Sequence, residues 1–181
     1  MRRDLKIIGL TISLAVLLIG VYVSYIAAIG NFHPITPGEA YRSAQLDSDK
    51  LEHYIKKFGI KSVLNLRGRN ADETWYIDEI ETCSRFAVEH YDVGMSAYHE
   101  LDQTQVRKLL EVFRSARRPI LIHCQGGADR SGLVAAMWKV IVDKDIKITA
   151  EKQLTIWYGH IPFTDSIAMD HFFDTWSPVL Q

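Results

Sequence analysis

The pattern of apolar positions is unbroken near the N-terminus of the chain. Residues 7–29 read IIGLTISLAVLLIGVYVSYIAAI, a run of 23 residues without one charged side chain. At about 1.5 Å per residue, a helix of this length crosses the ~30 Å hydrocarbon core of a bilayer. We therefore expect a short basic segment over 1–6, a transmembrane helix over 7–29 and a folded domain over 31–181.

The charges that flank this run predict its orientation. Arg2, Arg3 and Lys6 precede it against a single acidic residue. By the positive-inside rule, the N-terminus then stays in the cytoplasm and the domain lies on the periplasmic or other extracytoplasmic side. Two alternatives stay open. A cleaved signal peptide has a shorter apolar core, although Ala27 and Ala28 permit cleavage. A buried core helix would show a polar stripe, which this run lacks.

Beyond residue 31, short apolar runs alternate with stretches of helical periodicity. Pro37-Gly38 marks a turn between two short extended pieces. Further strands are predicted at 61–66, 88–93 and 119–123, and helices at 48–58, 73–87, 103–115 and 131–142, followed by helical patterns at 150–158 and 164–176. This alternation predicts an α/β fold with a mainly parallel central sheet flanked by helices.

Composition removes several classes of function. The chain has 181 residues, with 21 Lys and Arg against 22 Asp and Glu, so its net charge of −1 offers no field that favours nucleic acid. Two cysteines, Cys83 and Cys124, exclude a disulfide-stapled scaffold and leave no Cys pair at zinc-ligand spacing. Cys83 follows Ile77 and Ile80 on one predicted helix face, so we interpret it as a small core residue.

The segment HCQGGADRSG, residues 123–132, joins a buried strand to a helix and carries the candidate chemistry. Gly126 and Gly127 permit a close backbone approach, so successive N–H groups can turn inward and bind an anion. The phosphate-binding residues are then Gln125, Gly126, Gly127, Ala128, Asp129 and Arg130. The positive end of the following helix points to the same place. Such a loop binds phosphate and stabilises a thiolate at Cys124.

Individual side chains of this segment have separate predicted roles. The planar guanidinium of Arg130 can hold two phosphoryl oxygens at once. Ser131 can donate a hydrogen bond to the sulfur of Cys124, and His123 orients the loop rather than entering the reaction. The alternative, in which Cys124 is only a buried thiol at a strand end, leaves the paired glycines and Arg130 unexplained.

This segment resembles the His-Cys-x5-Arg-Ser/Thr signature of the cysteine-dependent tyrosine and dual-specificity phosphatases. YRSAQ at 41–45 and VLNLR at 63–67 are similar to segments of the compact bacterial members. The resemblance implies a dual-specificity-phosphatase-like fold, a phosphocysteine intermediate at Cys124, phosphate bound by residues 125–130, and neither a metal nor another cofactor.

A general acid must protonate the leaving oxygen and later activate water. In the family it is usually an Asp between the preceding strand and helix, here residues 94–102, which offer Glu100 and Asp102 but no familiar pattern. The Asp-Arg-Ser order resembles loops of myotubularin-like lipid phosphatases, in which the loop Asp has been considered for this role. We therefore rank Asp129 first, Glu100 and Asp102 next, and Asp92 last, with a structural role in the loop as the alternative for Asp129. Arg42 and Arg67 have two interpretations, as residues that line the mouth of the site or as surface residues, which arginines at strand ends usually are.

These features predict a membrane-anchored phosphomonoester hydrolase. A domain of about 150 residues lacks room for the additions of large tyrosine-specific phosphatases, so we expect a shallow pocket that accepts phosphotyrosine, phosphoserine and phosphothreonine in proteins. A phospholipid or phosphoinositide substrate is the alternative, although the absence of Lys between Cys124 and Arg130 disfavours polyanionic inositol lipids. A silent phosphate-binding module is the alternative from another class, and rhodanese-like sulfur transfer fits the spacing less well.

Overall fold

The computed structural model describes residues 2–162, 164 and 166–178. The chain begins with the long helix α1, Arg2–Ala28. Its segment Lys6–Ala28 has a mean hydropathy of 2.4 and none of it is buried inside the protein. The predicted apolar helix is thus confirmed, and by length and composition it suits a membrane span or a signal sequence.

A five-stranded sheet forms the centre of the domain. Its strands are β1 (His33–Thr36), β2 (Ala40–Ser43), β3 (Ser62–Asn65), β4 (Glu89–Asp92) and β5 (Ile120–His123). Their order is β1-β2-β5-β3-β4. Only β1 with β2 is antiparallel, and the other three pairs are parallel. The predicted α/β fold with a mainly parallel sheet is confirmed.

Helices cover both faces of this sheet. They are α2 (Ser48–Phe58), α3 (Thr74–Arg85), α4 (Gln103–Ser115), α5 (Asp129–Ile141), α6 (Lys147–Ala150) and α7 (Ile167–Thr175). Helix α2 is capped by the Asp47 side chain, which accepts a hydrogen bond from Lys50 N at 2.8 Å. It ends at Gly59, which adopts the left-handed conformation.

The helical pattern predicted at 150–158 is wrong. Helix α6 ends at Ala150, and two 3₁₀ turns, Glu151–Gln153 and Ile156–Tyr158, follow it. Gly159 then adopts a φ of +81°, which ends the second turn. The chain therefore crosses this region as short turns that lie over the carboxyl edge of the sheet, instead of as one helix.

The core consists of two apolar clusters, one on each face of the sheet. Strand β5 contributes to both, because Ile120 and Ile122 pack against α5 and α4 while Leu121 packs on the opposite side. On helix α3, Cys83 is 2% exposed in the core, which confirms its interpretation as a small core residue. The predicted face is wrong at Ile77, which is 42% exposed, whereas Glu79 is 3% exposed.

Candidate active site

The carboxyl ends of β2, β5 and β3 meet at one edge of the sheet, and the loop after β5 lies there. Cys124 follows β5 directly and is 2% exposed. The Gly127 N–H donates a hydrogen bond to its Sγ at 3.2 Å, and Ser131 Oγ lies 3.5 Å from the same sulfur. The loop thus directs a backbone donor and a hydroxyl at the thiol, an arrangement that favours negative charge on sulfur.

The two loop glycines are not equivalent. Gly127 has a φ of +71°, and a Cβ there would lie 2.5 Å from Ala44 N. A Cβ at Gly126 would meet nothing within 4 Å, and its φ is not in the left-handed region. The close approach of the loop to the end of β2 therefore requires glycine at 127 alone.

Arg130 lies in the first turn of α5. Its Nη1 donates to Leu66 O at 3.5 Å and to Met95 O at 3.3 Å. Its Nε is buried and has no hydrogen-bond partner among the described residues. These contacts hold the guanidinium between the segments that follow β3 and β4, and they leave donors available for an anion in the loop.

Arg42 is a buried support of the loop, so its interpretation as a surface residue is wrong. It is fully buried, and its Nη2 donates to Gly127 O at 2.9 Å and Ala128 O at 2.8 Å. Its Nη1 donates to Gln153 O at 2.6 Å, and its guanidinium stacks 4.4 Å from the Tyr158 ring. Burial is the main reason that its pKa falls to about 10, which still leaves it charged at neutral pH.

Asn31 ties three segments together. Its Nδ2 donates to Gly126 O at 3.0 Å and to Tyr158 O at 2.9 Å. Residue 31 lies three positions beyond the end of α1, and its φ of +50° turns the chain into β1. The end of α1, the loop after β5 and the turn at 156–158 are therefore held by one side chain.

Glu79 lies behind the loop as a buried acceptor. Its carboxylate contacts His123 Nε2 at 3.1 Å, His90 Nε2 at 2.8 Å and Gln45 Nε2 at 2.7 Å. Burial alone would raise the pKa of Glu79, but the charge of His123 and these hydrogen bonds outweigh it and hold the pKa well below its usual range. His123 is thereby fixed in orientation one residue before Cys124.

Asp129 belongs to a second cluster around a buried imidazole. His160 is fully buried, with Nδ1 2.7 Å from Asp129 Oδ1 and Nε2 2.9 Å from Asp170 Oδ2. Burial opposes the charged form of each group. The hydrogen bonds and opposite charges outweigh it, so the pKa of His160 is raised and that of Asp129 is lowered. The cluster therefore favours the protonated imidazole between two carboxylates.

The other acid candidates have different surroundings. Asp102 caps α4 by accepting from Gln105 N at 2.8 Å. Asp92 accepts from Asn65 Nδ2 at 2.8 Å and from the Tyr76 hydroxyl at 2.5 Å. Glu100 is exposed on the segment after β4. Asp102 and Asp92 thus already accept hydrogen bonds that stabilise the fold.

A family model described as the tyrosine phosphatase family matches residues 27–151. The chain belongs to the tyrosine phosphatase family. This membership supports a cysteine-based phosphatase. A search of curated proteins finds 24% identity over 115 residues with the probable chloroplastic NAD kinase 2 of Oryza sativa subsp. japonica, covering 62% of this chain and 12% of the rice protein. The chain thus corresponds to a small part of that relative.

Solved phosphatase structures share the fold. P. aeruginosa TpbA is 20% identical with a TM-score of 0.61, covering 81% of this chain and 85% of that one. The core catalytic domain of the S. cerevisiae PP-IP phosphatase SIW14 is 20% identical with a TM-score of 0.63, covering 80% and 86%. Tk-PTP is 18% identical with a TM-score of 0.58, covering 81% and 98%.

In this tyrosine phosphatase family member, the structure places Gly127 N and Ser131 Oγ of the predicted loop at the sulfur of Cys124. Arg130 instead contacts Leu66 O and Met95 O, and Asp129 contacts His160. Sequence reasoning did not identify the supporting side chains, which are Asn31, Arg42, Glu79, Tyr158, His160 and Asp170. No local pattern marks them, because their partners are up to 127 residues away in the chain.

Proposed function

We propose that the chain hydrolyses phosphomonoesters through a phosphocysteine intermediate at Cys124. The observation that carries this proposal is the Gly127 N–H directed at Cys124 Sγ at 3.2 Å, with Ser131 Oγ beside it, at the start of α5. A thiolate so held is a nucleophile, and the same loop presents backbone donors to the phosphoryl oxygens.

The reaction has two displacements. Cys124 Sγ attacks phosphorus in line, the S–P bond forms, and the bond to the leaving oxygen breaks as that oxygen takes a proton. The N–H groups of residues 125–130 and the Arg130 guanidinium stabilise the equatorial oxygens. Water then attacks phosphorus, the S–P bond breaks, and inorganic phosphate leaves. Ser131 donates to the sulfur as negative charge returns to it.

Asp129 remains our first candidate for the general acid. Its carboxylate is ionised at rest, and the proton needed for the first displacement is held on His160 at 2.7 Å. Transfer from Nδ1 to Oδ1 and then to the leaving oxygen supplies it, while Asp170 keeps the imidazole in place. Glu100 is the second candidate, because its segment begins beside Arg130 at Met95.

A shallow site that accepts phosphotyrosine, phosphoserine and phosphothreonine is supported by the exposure of Gln125 and Gly126 at the loop surface. TpbA has been crystallised in complex with phosphotyrosine, and SIW14 is described as a phosphatase of PP-IP. A phospholipid phosphate is the second candidate substrate, and the position of α1 favours it.

We further propose that residues 7–29 anchor residues 31–181 to a membrane, with residues 1–6 in the cytoplasm and the domain outside it. Helix α1 is long and apolar enough for this. Reporters of known compartment specificity, fused after Gln181 in the intact chain, test the orientation. Activity of a reporter that works only in the cytoplasm would refute this orientation.

The catalytic proposal is tested with the full chain in detergent, by following para-nitrophenyl phosphate hydrolysis in EDTA and reductant. Cys124→Ser is expected to abolish turnover and the phosphoenzyme trapped by rapid denaturation, whereas Cys83→Ala, at the other buried cysteine, retains both. Asp129→Asn is expected to lower the rate while phosphate and vanadate still bind. Folded, reduced protein that binds vanadate without turnover would indicate a silent phosphate-binding module instead.

A further inference from the structure

The end of α1 lies at the catalytic edge of the sheet. Strand β1 is antiparallel to β2, with His33 opposite Arg42, so the chain enters β1 at the edge where the parallel strands finish. Gly30 O accepts a hydrogen bond from Ala44 N at 2.8 Å. Only three positions separate Ala28 from Asn31, which bonds the catalytic loop. A chain of three residues spans about 10 Å at most.

The turn at 156–158 contacts α1 directly. The Tyr22 hydroxyl donates to Trp157 O, and the two rings meet edge to face at 6.0 Å between centroids. Tyr22 precedes Ala28 by six residues, which places it about 9 Å along the helix from its end. If residues 7–29 cross the bilayer, Trp157 thus lies about 9 Å inside the edge of the hydrocarbon core, a depth that apolar side chains inserted from the interface reach.

Apolar side chains next to this contact face away from the protein. Ile156 is 66% exposed, Trp157 is 68% exposed and Ile161 is 46% exposed. We call these three residues the 156–161 patch. Within the same stretch Tyr158 contacts Arg42, and His160 is fully buried. The backbone of the patch is therefore fixed against the catalytic loop while its apolar side chains are left outside.

Resting on the phosphatase function proposed above, we propose that the 156–161 patch inserts into the bilayer interface beside α1 and holds the catalytic loop over the phosphomonoester of a membrane lipid. We infer that the bilayer covers the patch because the patch adjoins α1, where Trp157 contacts Tyr22 of the apolar helix itself. Residues 31–181 carry 18 basic and 21 acidic residues, so attraction to anionic lipid does not supply the contact and apolar insertion must.

The short distance between the catalytic loop and the 156–161 patch favours a lipid substrate over a folded phosphoprotein. Asn31 Nδ2 contacts both Gly126 O and Tyr158 O, so the loop and the backbone of the patch share one side chain. A Cβ at Gly159 would lie 3.7 Å from Ala128 Cβ, which shows the same proximity on the other side. Once the patch is inserted, the loop lies at headgroup height, where lipid phosphates lie and where a folded protein has little room to enter.

The test compares hydrolysis of the same phosphate headgroup on a lipid in the bilayer and on a lipid dissolved in water. Full-length protein in phosphatidylcholine vesicles is given dioleoyl phosphatidylglycerophosphate in the same bilayer, or the water-soluble dihexanoyl form. We expect the bilayer substrate to be turned over at least tenfold faster at matched bulk concentration. The double variant Ile156→Ser, Trp157→Ser should lose at least fivefold of the bilayer rate and keep its rates on the dihexanoyl form and on para-nitrophenyl phosphate.

A matched control changes exposed apolar residues outside the patch. Ile146→Ser, Ile148→Ser alters side chains that are 67% and 63% exposed, and it should leave all three rates unchanged. Quenching of tryptophan fluorescence by lipids brominated on the acyl chains gives a readout independent of activity, and Trp157→Phe should remove most of it.

The outcomes separate this inference from the function on which it rests. No hydrolysis of para-nitrophenyl phosphate overturns the phosphatase proposal itself. Turnover of that substrate and of a soluble phosphotyrosine peptide, with no turnover of the bilayer lipid, overturns the lipid inference alone. Equal loss of bilayer activity in the two double variants, or unchanged quenching in Trp157→Phe, overturns insertion of the patch.

Discussion

Replacing Gly127 by alanine is the sharpest perturbation of the catalytic loop. The new Cβ would lie 2.5 Å from Ala44 N and 2.7 Å from Ser43 C, and both are backbone atoms. Reaching an ordinary contact of 3.4 Å requires the loop or β2 to move by about 0.9 Å. A left-handed φ for alanine costs about 1 kcal/mol and overpacking costs about 2 kcal/mol, so we expect about 3 kcal/mol of lost stability.

Two assays measure this loss. The midpoint temperature of thermal unfolding should fall by roughly 6–12 °C, because each kcal/mol of lost stability lowers it by about 2–4 °C in a chain of this size. Because Gly127 N is the donor to Cys124 Sγ, a displacement near 1 Å should also lower kcat/KM for para-nitrophenyl phosphate by about 100-fold. Gly126→Ala is the matched control and should stay within 1 kcal/mol of the parent. Equal behaviour of the two variants would refute this account of the loop.

Three further predictions concern the buried charges. Arg42→Met should destabilise the domain by about 3 kcal/mol in urea unfolding and lower kcat, because two loop carbonyls lose their donors. Arg118→Met is the control and should cost under about 1 kcal/mol, because the Arg118 side chain is partly exposed. The raised pKa of His160 means that its ion pairs stabilise fully below pH ~6.5 and are lost as pH rises through the folded pKa. The difference in unfolding free energy between parent and His160→Asn should therefore shrink with rising pH, and a constant difference would contradict the protonated imidazole. Glu79→Gln should cost about 3 kcal/mol in the same assay, because His90 and His123 lose the buried carboxylate that accepts from them, and an unchanged midpoint would contradict that pairing.

Local patterns predicted the elements whose contacts are local. Helix α4 was expected over 103–115 and is observed there, because its apolar spacing and its Asp102 cap both lie within the segment. Strand β5 is predicted from a short apolar run that ends at Cys124. The catalytic loop was predictable for the same reason, since the glycines, Cys124 and Arg130 lie within seven consecutive residues.

The predictions that were wrong concern residues whose contact partners lie far away in the sequence. Helix α3 buries Glu79 rather than Ile77, because Glu79 faces His90 and His123. A buried carboxylate needs such hydrogen-bond partners, and both lie in other segments of the chain. The partners of Arg42 lie 85 to 111 residues later in the chain. Periodicity reports how one segment alternates along its own length, and it carries no information about which polar groups another segment will supply.

The sheet order also fixes when the catalytic site can exist during synthesis. Strand β5 is the last strand in the sequence, yet it lies between β2 and β3. Until residue 123 has left the ribosome, the two halves of the sheet have no strand to join them, and Arg42 has no loop carbonyls to bind. A growing chain therefore carries its apolar N-terminal helix for nearly a hundred residues before it carries Cys124. Assembly of the sheet and formation of the thiol pocket are one late event, so a nascent chain that stalls earlier has no phosphatase site.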